Sequence, residues 1–368
     1  MKTTNRLQKL LPGLLLAAAG LSLLVSGTAL AERDEYADLN APPKTKNTYT
    51  DIASWSIAFD NDIFVPGGRD QDYTYGINLT YAGPQAENLW ASLHRSLDWI
   101  NLKLDFDGIG GPGLGASKIE YGLFGFTPED ISLAAANPND RPYASLVYVS
   151  ATRETYYPAG KVSWQSTLTV GLLGLSLVGD MQNLVHSAYD GNRAQGWGKQ
   201  ISDGGEPTAR YSLARQSLLY RNDSGIEVKS TWQASVGYIT EAAWSLSLRA
   251  GKIHTPWVSF NPELTSYAEK SVPNSGARVS EHYFWTGLSF RYRAYNAFLE
   301  GQFRDSAVTW DSDDINHAIV EAWLGYTVAF NNGYSITYSL RGHTSELKHG
   351  DADRSVVWGG ILISRTIG

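Results

Sequence analysis

The stretch Ile226-Glu227-Val228-Lys229-Ser230-Thr231-Trp232-Gln233-Ala234-Ser235-Val236-Gly237-Tyr238 decides the fold. Side chains alternate across an extended strand, so Ile226, Val228, Trp232, Ala234, Val236 and Tyr238 share one face, and Glu227, Lys229, Thr231, Gln233 and Ser235 share the other. One face suits lipid and the other water, over a length that crosses a bilayer when tilted. The same split recurs in Val162, Trp164, Leu168, Val170 and Leu172 against Ser163, Gln165, Thr167 and Thr169. It recurs again in Tyr334, Ile336, Tyr338 and Leu340 against Ser335, Thr337, Ser339 and Arg341.

Outward from these strands lie short turns, Pro158-Ala159-Gly160, Asn222-Asp223-Ser224-Gly225 and Asn331-Asn332-Gly333, rich in residues that tolerate positive φ. Short turns are expected at the periplasmic end of a membrane barrel. Longer connections fall near 84–117, 127–141, 175–205, 253–281 and 304–315. About thirteen strand-like segments can be counted, whereas a single-chain bacterial barrel takes an even number. Residues 118–126 form the weakest of them and are the expected miscount.

Beyond the first 31 residues no apolar run of about 18 residues appears, which excludes helical membrane spans. With 21 Tyr, 12 Trp and 36 Gly, the composition fits aromatic girdles around a polar lumen. A soluble sandwich also alternates, but gives no reason for aromatic and branched residues on the outer face of strand after strand. In lipid, a closed sheet is the strand architecture that pairs every backbone group. The expected fold is therefore all-β, a transmembrane antiparallel β-barrel over residues 51–368, after a lead segment at 32–50. Residues 1–31 read as a cleaved secretory signal: Lys2, Arg6 and Lys9, then an apolar stretch, then Ala29-Leu30-Ala31. A retained membrane anchor is the competing reading.

Removing those three cations takes the formal net charge from −7 to −10 and leaves no basic stripe for phosphates, which argues against nucleic acid as a partner. The absence of cysteine excludes disulfides and thiolate metal sites.

Polar residues cluster at strand ends. A strand from Ser54 delivers Asp60-Asn61-Asp62; the chain turns through Pro66-Gly67-Gly68 and re-enters at Asp72-Tyr73-Thr74. The hairpin brings Asn61, Asp62 and Thr74 near one another, and their oxygens are ligands that calcium prefers. A solvated polar rim explains the same residues equally well, and the spacing is not that of a helix-loop-helix calcium loop. Residues 178–189 read as a short helix in an outer loop, with Gln182, His186 and Tyr189 on one face and Leu184, Val185 and Ala188 on another. Leaning on the hairpin, it would form a cleft between helix and barrel wall, in which His186 could act as a general base. The alternative is a histidine that only decorates a loop.

These segments, with Asp140-Arg141-Pro142-Tyr143-Ala144, Gln195-Gly196-Trp197 and 298–306, resemble the lipid A deacylase family of outer-membrane barrels. The resemblance runs from about Ser54 to near the C-terminus. It implies twelve strands, an outer-membrane location facing the outer leaflet, and a lipid A 3'-O-deacylase acting on lipopolysaccharide among outer-membrane lipids. It also implies a calcium-dependent site built from Asn61, Asp62, Thr74, Gln182 and His186, with Asn61, Asp62 and Thr74 around Ca2+ and His186 activating water. Two departures are visible. Asp60 stands where the family often has Glu, and Lys118 is the nearest counterpart of a family lysine, although the insertion at 88–101 leaves that correspondence open. A single-chain barrel closes its own edges and is expected to be a monomer. Competing functions are a passive channel, which needs an open lumen, and a serine phospholipase, for which His343-Thr344-Ser345 is the closest arrangement.

Overall fold

The computed structural model describes residues 53–65, 72–104, 108–109, 113–188, 193–265, 267–270 and 278–367. The expected leader, the lead segment, Pro66-Gly67-Gly68 and Tyr189 lie outside the described residues. Twelve strands form one closed antiparallel barrel: β1 (Ala53–Asn61), β2 (Asp72–Ala82), β3 (Leu114–Thr127), β4 (Ala144–Tyr157), β5 (Val162–Leu173), β6 (Glu206–Arg221), β7 (Ile226–Gly237), β8 (Ile239–Lys252), β9 (Glu281–Asn296), β10 (Ala318–Ala329), β11 (Tyr334–His343) and β12 (Val356–Ile367). Each strand pairs with the next, and β1 closes the ring on β12 from Ala53↔Ile367 to Asn61↔Gly359. Among the described residues no helix is long and apolar enough to cross a membrane. Among the described residues two α-helices of more than ten residues, α1 (His94–Leu104) and α2 (Ser176–Ala188), belong to connections, and a single turn, Ala297–Glu300, follows β9.

Residues 118–126 are not a miscount. They lie inside β3, a fourteen-residue strand paired along its length to β2 and β4. Its alternation is hard to read because its inward row passes from Glu120 to Phe124 and Phe126, which join an aromatic cluster with Tyr73, Tyr267 and Trp358 inside the barrel.

The lumen is filled. The connection between β8 and β9 folds back into it, seating Phe260 against Tyr283 and Trp285. Glu263 there accepts from Gln216 (2.8 Å), Thr231 (2.9 Å) and Ser247 (2.8 Å) and pairs with Lys229 at 2.8 Å. Those four partners are inward residues of β6, β7 and β8, so the polar face of each strand meets this plug rather than open water. Farther along, the Lys270 ammonium pairs with Asp60, and Glu120 accepts the backbone N–H groups of Glu269 and Lys270, both at 2.7 Å.

The expected division into short turns at one end and long loops at the other holds only in part. Residues 158–161, 222–225 and 330–333 turn tightly at the end that carries Ala53 and Ile367. The long connections 83–113 and 253–280 leave from that same end, while Tyr238 alone joins β7 to β8 at the far end. The reason is where the described parts of these connections lie: residues between 253 and 270 fill the lumen, and 84–104 cover the outside of the wall.

Candidate active site

Strand alternation splits the run Asp60-Asn61-Asp62. Asp60 points inward, where it meets Lys270 and accepts from the Tyr73 hydroxyl at 3.3 Å. Asn61 therefore faces outward. Its Oδ1 accepts the Ile63 N–H at 2.7 Å and caps a 3-10 turn over Asp62–Phe64, in which Asp62 is buried. This turn rests on the outside of the wall, where the outward Tyr338 donates to the Phe64 carbonyl at 2.7 Å. Gly359 permits that approach, because a Cβ there would collide with Phe64.

Across the hairpin, Asn61 lies opposite Tyr75. Between the pairs Tyr73↔Phe126 and Tyr75↔Gly125 the register shifts, leaving Thr74 as a bulged residue. The bulge lets Tyr73 join the lumen cluster while Tyr75 joins an outer cluster with Val178 and Trp197. Thr74 is buried with its Oγ1 2.6 Å from Thr127 Oγ1.

Helix α2 starts just after Gly174, at φ +79 with the Ile201 and Ser202 carbonyls where a Cβ would go. It lies against β3 and β4 on the outside of the barrel, its Val178 packed on Tyr75, whose hydroxyl donates to the Val178 carbonyl. Gly125 on the wall and Gly179 on the helix leave room for the Trp197 ring; a Cβ on Gly125 would sit 2.9 Å from Val178 and 3.0 Å from Trp197. The Trp197 indole N–H donates to Gln182 Oε1 at 2.7 Å. Because indole only donates, it fixes the orientation of that amide. Gln182 Nε2 is then buried with no hydrogen-bond partner among the described residues. His186 follows one turn on, half-buried, about 6 Å farther along the helix axis.

Asn61, Thr74 and Gln182 thus surround Tyr75 on the outer wall, Asp62 adjoins Asn61, and His186 extends the same helix face. Lys118 is not part of this group. It pairs with Ala82 and Thr152 near the other end of β3, 3.5 Å from Glu154 and about 30 Å along the strand from Thr127. Tyr75 and Thr127 escaped notice in the sequence because only long-range register brings them here; Trp197 stood in a motif without a visible task.

Asp62, Asn61 and Thr74 offer carboxylate, amide and hydroxyl oxygens, a donor set that fits a hard cation. Among the described residues no group of three or more His, Asp or Glu forms a metal cage. A cation here would therefore rest on one carboxylate, with neutral oxygens completing its shell. The serine arrangement fails on geometry. His343 Nε2 is 2.7 Å from the Tyr267 hydroxyl, its Nδ1 2.8 Å from the Thr344 carbonyl, and Ser345 Oγ donates to the Leu347 carbonyl at 2.8 Å.

The profile of a family described as outer membrane protein LpxR matches residues 15–367. Among solved structures, LpxR from Salmonella typhimurium is similar at TM-score 0.63 and 15% identity, covering 85% of this chain and 99% of that one, a likeness of fold. The β domain of the Bordetella autotransporter BrkA (11% identity, 85% and 98% covered, TM-score 0.39) and outer membrane phospholipase A from Escherichia coli (11%, 89% and 95%, 0.33) also match, too weakly to bear on the argument. No curated protein sequence matches the chain.

Proposed function

Because the chain belongs to the family of the outer membrane protein LpxR, we propose that it is a lipid A 3'-O-deacylase of the bacterial outer membrane, hydrolysing an ester-linked acyl chain of lipopolysaccharide. One observation carries the reading: the polar group around Tyr75 lies on the outward face of the barrel beneath α2, away from the lumen. A lipid substrate can reach it sideways without leaving its leaflet. With the barrel end that carries Ala53 and Ile367 turned to the periplasm, the far end faces the outer leaflet, where lipid A resides.

His186 serves as general base, taking a proton from a water molecule as its oxygen attacks the ester carbonyl. The imidazolium returns that proton to the departing sugar oxygen, so that one water and one ester become a fatty acid and a free hydroxyl. Gln182 Nε2 donates a hydrogen bond to the carbonyl oxygen as negative charge develops there. Asp62, Asn61 and Thr74 would hold calcium, which when bound adds electrostatic stabilisation of that charge. The filled lumen disfavours the competing channel, and a barrel that closes on itself works as a monomer.

Mass spectrometry of lipid A from cells expressing the protein, its His186→Ala variant, or the protein in chelator-treated membranes tests this directly. Loss of one acyl chain only with His186 and available calcium is expected. Identical spectra from all three would overturn the assignment.

A further inference from the structure

The connection between β2 and β3 lies along the outside of the barrel instead of projecting into solvent. Its 3-10 turn (Pro84–Asn88) and α1 cross the outward faces of β3 to β6. Outward-pointing Arg153 of β4 is met by Asp98 at 2.8 and 2.6 Å, by Glu87, and by Ser117 at 2.7 Å. Asn101 donates to Ser166 of β5 and accepts from the Tyr211 hydroxyl of β6, both at 2.9 Å. Leu97 is fully buried in a cluster with Ala151, Trp164, Leu168 and Leu213. The inner side of this segment therefore satisfies polar groups that the wall presents outward, where hydrocarbon would leave them unpaired.

The opposite side presents large apolar groups, Trp90, Trp99 and Leu102, exposed by 81, 61 and 76%, interspersed with polar and charged residues such as Asn88, Arg95 and Lys103. The outward wall on both flanks also exposes large apolar side chains, Leu79 of β2 and Trp232 of β7. Around a membrane barrel the occupant of such outward apolar groups is lipid. Arg95 and Lys103 are exposed on the same helix, long enough for their charges to reach headgroups while their stems stay apolar. Tryptophan at this level is also the residue that membrane interfaces favour.

We propose that residues 84–104 form a belt seated in the membrane leaflet nearest Ala53 and Ile367, with phospholipid packed on Trp90, Trp99 and Leu102. The belt does not depend on hydrolysis and stands apart from the site under α2. Because the chain has no cysteine, Leu102→Cys carries a single spin label in the full-length protein. After reconstitution in phosphatidylethanolamine and phosphatidylglycerol vesicles, its relaxation by oxygen and by a water-soluble nickel chelate is compared with Phe290→Cys on the outer wall and Asp223→Cys in a turn. The expected result is that oxygen dominates at Leu102→Cys, as at Phe290→Cys. Nickel dominating, as at Asp223→Cys, would overturn the belt. Dipolar broadening that disappears on dilution with unlabelled protein would also overturn it, by giving this face to a second copy. Trp99→Cys repeats the measurement if Leu102→Cys fails to fold.

Discussion

At the scale of single residues, the site turns on which way a side chain points. Asp60, Asn61 and Asp62 are equivalent to a reader of composition, yet strand geometry sends Asp60 to Lys270 in the lumen and Asn61 to the outer wall. His186→Ala should lower deacylation by about a hundredfold or more, the scale at which a positioned base contributes, read from the rate of acyl loss in membranes. Trp197→Phe keeps a ring between Gly125 and Gly179 but removes the N–H that orients Gln182. Turnover should fall about tenfold, the loss of roughly one hydrogen bond's worth of orientation, with KM little changed. In a Gln182→Ala background the same substitution should cost nothing further, since both act through one amide; additive losses would show that Trp197 acts only by packing.

At the scale of elements, α2 and the far-end loops are held by different means. The helix docks through glycines, so Gly179→Ala, which drives a Cβ into the Trp197 ring, should cost about 1–3 kcal/mol of docking. Activity should fall while heat-modified gel mobility still reports a closed barrel. The loops are tied by charge. Arg141 pairs with Glu346 and reaches Asp72 at 3.5 Å, and Arg354 joins Asp72 to Asp140. Burial alone would push the Glu346 carboxyl up, but Arg141 and Arg293 more than offset it and hold it at about 2. A carboxylate depressed in the folded state stabilises above its ordinary value near 4.5 and loses that contribution as pH falls towards 2. Far-end loops should therefore resist protease down to about pH 4.5 and become susceptible below it, and Arg141→Ala, which strands a buried charge, should make them susceptible already at pH 7.

At the scale of the whole molecule, the barrel is a closed wall around a solid interior, with its candidate chemistry on the outside. Purified protein in planar bilayers should give no steady porin-like current, because the plug joins Glu263 to Lys229 and Lys270 to Asp60 across the lumen; sustained conductance would contradict that packing. Much of this was legible in the chain. Alternation along residues 226–237 names the wall and assigns its two faces correctly, since a period of two depends only on local backbone geometry; Tyr238, read with the lipid-facing row, instead turns into the lumen against Phe298, because Gly237 at φ +137 breaks the alternation. The helix bearing Gln182 and His186 is likewise local, and the family resemblance marks both. What the sequence could not reveal was the destination of long connections: 253–281 reads as a loop, and its residues 253–265 and 267–270 form the plug, while 88–101 reads as an insertion and lies within a segment, 84–104, that covers the outer wall. Nor could it show β3 clearly, whose inward row turns aromatic to meet Tyr267. The sequence by itself determined strand faces and the helix register, which nearest-neighbour geometry controls. Only the tertiary structure decided that Thr74 bulges beside Thr127, that Trp197 orients Gln182, and that Lys118 stands at the far end of its strand from both. Those relations depend on contacts between residues distant in the chain, which no local pattern encodes.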